Sequence, residues 1–179
     1  MQKSKCKING FTLVELLVSV AVFSVVIGIA LEVFVSSVRI QRRVLANQEI
    51  QDQTSYLMEY FSRAIRMARK DVDGSCVPAG LNYQKNFSRP GIRFKNYEGV
   101  CQEFYLDADS RRLKEERGGI NSFLTSASLH VSSFNIGADD SWDSGDNDQP
   151  KVAFFLKITG KDQSRIKIQT TVSQRNPDM

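Results

Sequence analysis

His130 is the only histidine among the 179 residues. A multi-histidine metal site is therefore excluded, and histidine-driven catalysis would have to rest on that one ring. Cysteine is scarce as well. Cys6, Cys76 and Cys101 are too few for a disulfide scaffold and too widely spaced for a CxxC redox or zinc motif. No GxSxG, HExxH or phosphate-loop pattern occurs. Residues 29–73 contain no proline and no glycine, so nothing in that stretch breaks a helix. Positive charge is also in short supply. The net +4 falls to +1 once Lys3, Lys5 and Lys7 are set aside, too little to neutralise phosphates, and no nucleic-acid partner is expected. With 41% apolar and 25% charged residues, the chain is neither disordered nor a multi-pass membrane protein.

What is present is concentrated near the N-terminus. Residues 11–38 read FTLVELLVSVAVFSVVIGIALEVFVSSV, and only Glu15 and Glu32 are charged. As a helix these residues span roughly 42 Å, enough to cross a bilayer. The apolar run is too long for the h-region of a secretory signal peptide, and no A-x-A site closes it. Cys6 precedes the run and is not a lipobox cysteine. Lys3, Lys5 and Lys7 on one side balance Arg39, Arg42 and Arg43 on the other, so the positive-inside count does not orient the segment. Glu15 stands out. A carboxylate in a spanning helix costs on the order of 3 kcal/mol at the bilayer centre and marks a functional site.

The run Gly10-Phe11-Thr12-Leu13-Val14-Glu15-Leu16-Leu17-Val18, behind a short basic leader, resembles the processing site of type IV prepilins and type II secretion pseudopilins. The resemblance implies that a prepilin peptidase cuts between Gly10 and Phe11 and N-methylates Phe11. It also implies that Glu15 serves assembly by pairing with the N-terminal amine of a neighbouring subunit. The physical chemistry agrees: a buried carboxylate is tolerated beside a cation, and Phe11 supplies one only after cleavage. Major pilins often carry a mid-helix proline, which is absent here.

Downstream, Leu57, Phe61, Ala64, Ile65 and Ala68 follow helical spacing, with Arg63, Arg66, Arg69 and Lys70 between them. One helix from about residue 11 to 70 is predicted, with Gly74 as its stop. Residues 76–100 read as loop with a short strand at Ile92 to Lys95. A hairpin follows, pairing residues 102–106 with 111–115 across the acidic turn 107–110. Leu129 and Val131 precede a polar loop. Period-two alternation at Val152, Phe154, Leu156 and Ile158, and at Ile166, Ile168, Thr170 and Val172, predicts a last hairpin around Gly160 to Ser164. An antiparallel sheet with one face against the helix is expected.

Cys76 and Cys101 remain after leader removal. As a pair in an extracytoplasmic domain they would close a loop of about 25 residues, worth on the order of 3 kcal/mol; two unpaired buried thiols are the alternative. Residues 137–150 hold five aspartates. Asp140, Asp143 and Asp146 are spaced to offer calcium oxygen ligands, though no EF-hand pattern is present, and a solvated loop is the simpler reading. Trp142, the Pro150-Lys151-Val152 strand opening and the closing Gln169 to Asn176 resemble J-type pseudopilins and their minor-pilin relatives. His130, among Ser128, Ser132 and Ser133, reads as a surface or core residue rather than half of a nucleophile–base pair.

The expected fold is α+β: a pilin-like lollipop with a long N-terminal transmembrane and amphipathic helix packed on a small antiparallel β-sheet head. The divisions are a leader at 1–10, an apolar helix at 11–38, its amphipathic continuation at 39–70 and an extracytoplasmic head at 71–179. The resemblance implies a non-enzymatic minor pilin or pseudopilin of a type IV pilus, competence pilus or type II secretion machine, without a cofactor. Its implied partners are other pilins, reached through the N-terminal helix, the prepilin peptidase and the inner-membrane assembly platform. It would sit in the cytoplasmic (inner) membrane as a single-pass protein with its head outside, and then in a filament or pseudopilus. The competing expectation is an uncleaved, membrane-anchored ligand-binding domain that never polymerises.

Overall fold

A computed structural model describes residues 10–86, 88–137, 142 and 149–175. The long break-free stretch forms helix α1, Leu13–Arg66, of 54 residues. By its internal contacts the chain divides within that helix into two units, Met1–Arg42 and Arg43–Met179.

In the first unit the helix is apolar all round from Leu16 to Leu31, and large side chains such as Leu16, Phe23, Val26 and Phe34 are exposed. Such a surface belongs in lipid or against other protein. Its most apolar 18-residue window has a mean hydropathy of 2.6, so α1 is long and apolar enough to cross a membrane. Three of its serine hydroxyls are satisfied internally. Ser19, Ser24 and Ser37 each donate to the carbonyl four residues earlier, at 2.7, 2.8 and 2.9 Å, which makes them compatible with an apolar medium.

In the second unit the helix becomes amphipathic. Ala46, Ile50, Thr54, Leu57, Phe61 and Ile65 make the buried stripe, at spacings of three and four. The helix stops at Arg66, short of residue 70. The Ala68 N–H tightens back onto the Ile65 carbonyl at 3.2 Å, and the Arg69 N–H leaves for the Lys95 carbonyl at 2.9 Å. Arg69 thus bridges to the sheet, a pairing that helical periodicity does not reveal.

The strands form two antiparallel sheets rather than one. The first is a meander of β1 (Tyr83–Asn86), β2 (Gly91–Lys95), β3 (Cys101–Asp107), β4 (Arg112–Arg117) and β5 (Ile120–Phe123). The second contains β6 (His130–Ile136), β7 (Lys151–Thr159) and β8 (Arg165–Ser173). As the alternation predicts, Val152, Phe154, Leu156 and Ile158 of β7 all point inward. The β3–β4 turn is the expected acidic one. Its Asp107 carboxylate accepts from the Ser110 N–H at 3.1 Å and meets Lys114 at 3.1 Å. Gly91 is required in β2: a Cβ there would lie 2.6 Å from the Phe104 carbonyl oxygen and 2.8 Å from Tyr105 Cβ.

Helix and both sheets meet at Phe61. Its ring lies 4.4 Å from Phe104 of β3, 5.8 Å from Phe134 of β6 and 5.9 Å from Phe154 of β7, between centroids. Aromatic contacts of this kind stabilise beyond their buried area.

Candidate functional site

At the start of α1, Gly10 and Phe11 lie outside the helix, and Phe11 is 76% exposed. A Cβ on Gly10 would meet nothing within 4 Å. Among the described residues nothing covers the Gly10–Phe11 bond.

Thr12 caps the helix. Its hydroxyl accepts the Glu15 N–H at 3.3 Å. In return the Glu15 Oε2 accepts the Thr12 N–H at 3.0 Å and the Thr12 hydroxyl at 2.9 Å. This is a reciprocal capping box, in which each residue satisfies a backbone donor that the helix end leaves free. The carboxylate also sits where the helix dipole favours negative charge. Its second oxygen, Oε1, accepts nothing among the described residues. Sequence reasoning singled out Glu15 and passed over Thr12, although a threonine three residues before a glutamate at the head of an apolar run is the capping-box signature.

At this end of the chain a small residue precedes an exposed Phe11, an acid stands in the first helical turn, and a long apolar helix follows. Residues 5–31 match the family model described as "Prokaryotic N-terminal methylation motif". The chain carries a prepilin-type N-terminus. The match supports a pilin or pseudopilin processed by a prepilin peptidase, a family of structural proteins, and suggests membrane anchoring through the apolar helix. No curated protein and no solved structure matches the chain.

Elsewhere, Cys76 and Cys101 are joined in a disulfide, with Cα atoms 5.2 Å apart. Asp71, fully buried, braces the cysteine loop. Its Oδ2 accepts the Cys76 N–H at 2.6 Å and the Val77 N–H at 2.9 Å, and its Oδ1 meets Lys95 Nζ at 3.1 Å. Burial alone would raise the Asp71 pKa. The Val77 and Cys76 N–H groups and the Lys95 ammonium outweigh it and hold the carboxyl well below the usual carboxylate range. Lys95 is held above its usual value, first by Asp73 at 2.7 Å and then by Asp71. Glu103, 2% exposed, is neutralised from two sides, by Arg89 at 2.8 Å and Arg93 at 2.7 Å. Its burial would raise its pKa, but the Arg89, Asn86 and Arg93 hydrogen bonds lower it. These networks hold loops and strands and bring no reactive groups together.

Asp140, Asp143 and Asp146, with Lys3, Lys5, Lys7 and Cys6, lie outside the described residues. Among the described residues no group of three or more His, Cys, Asp or Glu is placed to hold a metal. His130 stands exposed at the start of β6, and the Ser132 hydroxyl lies 3.5 Å from that of Thr159. Trp142 is buried, with its ring against Tyr83 and its Nε1–H donating to the Lys151 carbonyl at 2.6 Å.

Proposed function

We propose that this protein is a minor pilin or pseudopilin, a structural subunit assembled through its N-terminal helix. A prepilin peptidase removes residues 1–10 and methylates the new amine of Phe11. The apolar helix holds the subunit in the inner membrane as a single pass, with residues 71–179 outside the cytoplasm. Assembly then exchanges lipid for the helices of other pilins on an inner-membrane platform. The buried Trp142 and the strand opening at Lys151 favour a J-type minor subunit.

One observation carries the reading: the methylation-motif match spans Glu15, whose Oε2 is held by its own chain and whose Oε1 accepts nothing among the described residues. The amine of a neighbouring Phe11 would meet that oxygen, giving a buried charge the cation it needs. Intact-mass measurement of the protein from its native host tests the proposal. Loss of Met1 to Gly10 with the gain of one methyl group is expected. A full-length chain in mature filaments would overturn the reading in favour of a plain membrane anchor.

A further inference from the structure

At the end of α1 the second unit carries a surface unrelated to the processing site. Two adjoining depressions share Met67 and Tyr97. One, of about 370 Å³, is walled mainly by Tyr60, Ala64, Met67 and Tyr97, with Asn96 and Gln102, and also by Arg63 and Arg117, each paired with a carboxylate. The other, of about 250 Å³, is ringed by Arg66, Arg69 and Arg175 around Met67 and Tyr97. Met67 is 41% and Tyr97 51% exposed. The trough is thus apolar along one half and cationic along the other.

The fold draws the cations together deliberately. Gln174, buried, donates from Nε2 to the Ala68 carbonyl at 2.9 Å, and the Arg175 N–H donates to the Arg66 carbonyl at 2.8 Å. Those bonds tie the end of β8 to the end of the helix and set Arg175 beside Arg66. Among the described residues none of Arg66, Arg69 and Arg175 has a carboxylate partner, whereas nearby Arg63 is engaged by Glu59 and Arg117 by Glu98. The helix dipole accounts for arginines in the last turn. It does not account for Arg175, which another strand delivers, nor for an exposed tyrosine and methionine between the charges.

A second observation points to an acceptor-bearing ligand. Asn96 is 2% exposed and forms part of the apolar wall. Its Oδ1 receives the Glu98 and Val100 N–H groups at 3.0 and 2.9 Å. Its Nδ2 finds no acceptor among the described residues, a cost that a native fold rarely leaves uncompensated.

We infer that this trough is a docking site for an acidic segment of another polypeptide, whose carboxylates meet Arg66, Arg69 and Arg175 while one of its apolar side chains lies against Met67 and Tyr97. Charge complementarity selects the occupant: three guanidiniums without a carboxylate among the described residues, around an apolar centre, suit alternating acidic and apolar side chains. The inference stands apart from leader processing, and its test requires no polymerisation.

The test uses the full chain in neutral phosphatidylcholine nanodiscs and fluorescence anisotropy. The probe is a labelled peptide of alternating glutamate and leucine, with a glutamine–leucine peptide as its neutral counterpart. The acidic peptide should bind about tenfold more tightly than the neutral one and weaken as salt rises. The pair Arg66→Glu with Arg175→Glu should weaken it about tenfold, and so should Arg69→Glu alone to a lesser degree. Tyr97→Ala should weaken both peptides. The control pair Arg165→Glu with Lys167→Glu, exposed on β8, changes the net charge equally and should leave binding within about twofold. Absence of binding, equal binding of the two peptides, or equal loss in the control pair would overturn the proposal. So would displacement of the peptide by a single-stranded oligonucleotide at lower concentration.

Discussion

The ring of Phe61 lies 4.4 Å from that of Phe104, and through this pair the helix grips the first sheet. Both side chains are essentially inaccessible, at 1% and 0% exposure. Truncating Phe61 removes contacts to strands of both sheets at once. Phe61→Ala should therefore cost about 4 kcal/mol of stability, and Phe61→Leu clearly less. Denaturant titration of the full chain in detergent, followed by near-ultraviolet circular dichroism, gives the number. A loss below about 1 kcal/mol would show that the core closes without this ring.

Glu15 caps the helix, and in the proposed function it also serves assembly; one substitution separates the two. Glutamine still accepts hydrogen bonds in a capping box but carries no charge. Glu15→Gln should be cleaved, inserted and folded like the wild type, yet be missing from sheared filaments or tip complexes. Glu15→Val should show the same defect and also a frayed first turn. If the glutamine variant enters filaments at the wild-type level, on immunoblots, the charge is not what assembly reads.

Thr12→Ala removes the other half of the box. A loss of about 1 kcal/mol, confined to the first turn, is expected. Hydrogen exchange in nanodiscs should show faster exchange at Glu15 and its neighbours and no change in β3 or β7. Protection that is unchanged at Glu15 would mean that the cap does not hold the turn.

Asp71 sets an acid limit. Its carboxyl is held low in the folded chain, so its contribution to stability is present above the unfolded value near pH 4 and fades as pH falls through the lower folded value. Asp71→Asn should cost roughly 3 kcal/mol at neutral pH, because it breaks a buried pair with Lys95 and weakens the bonds to Cys76 and Val77. The deficit should shrink as pH falls below about 4, where the unfolded wild type takes up a proton that the folded carboxyl accepts only at lower pH. Glu103 and Asp107, also lowered, leave some acid sensitivity in the variant. A deficit that stays constant down to pH 2 would rule out this titration.

The Cys76–Cys101 bridge closes a 25-residue separation. Alkylating the folded, unreduced protein should label neither cysteine. Replacing both by serine should cost on the order of 3 kcal/mol. Labelling of both Cys76 and Cys101 would refute the bridge.

Much of this architecture could be read from residue order, for local reasons. The alternation of Val152 to Ile158 and the three-and-four spacing around Leu57 and Phe61 report which side of an element is dry, and burial follows them. The division into two sheets was not legible, because alternation does not say which strand a neighbour pairs with. Strands β1 and β5 were missed for a related reason. Tyr83 is the one fully buried residue of β1, and β5 buries none, so the hydrogen bonds of their neighbours define them. At the processing site Gly10, Phe11 and Glu15 stood out by motif, while the Thr12 pattern was present and unused. The arginine trough was beyond reach, since Arg66 and Arg175 come together through the Gln174–Ala68 bond across the whole second unit.

The capping box has a kinetic side. A carboxylate bound through one oxygen need not let go of its own chain to greet an incoming cation, because the other oxygen accepts nothing among the described residues. In the proposed assembly the first turn of α1 would then stay wound during the handover from lipid to protein. The barrier to entry would be set by stripping solvent or lipid from the two charges, with no local melting to precede it.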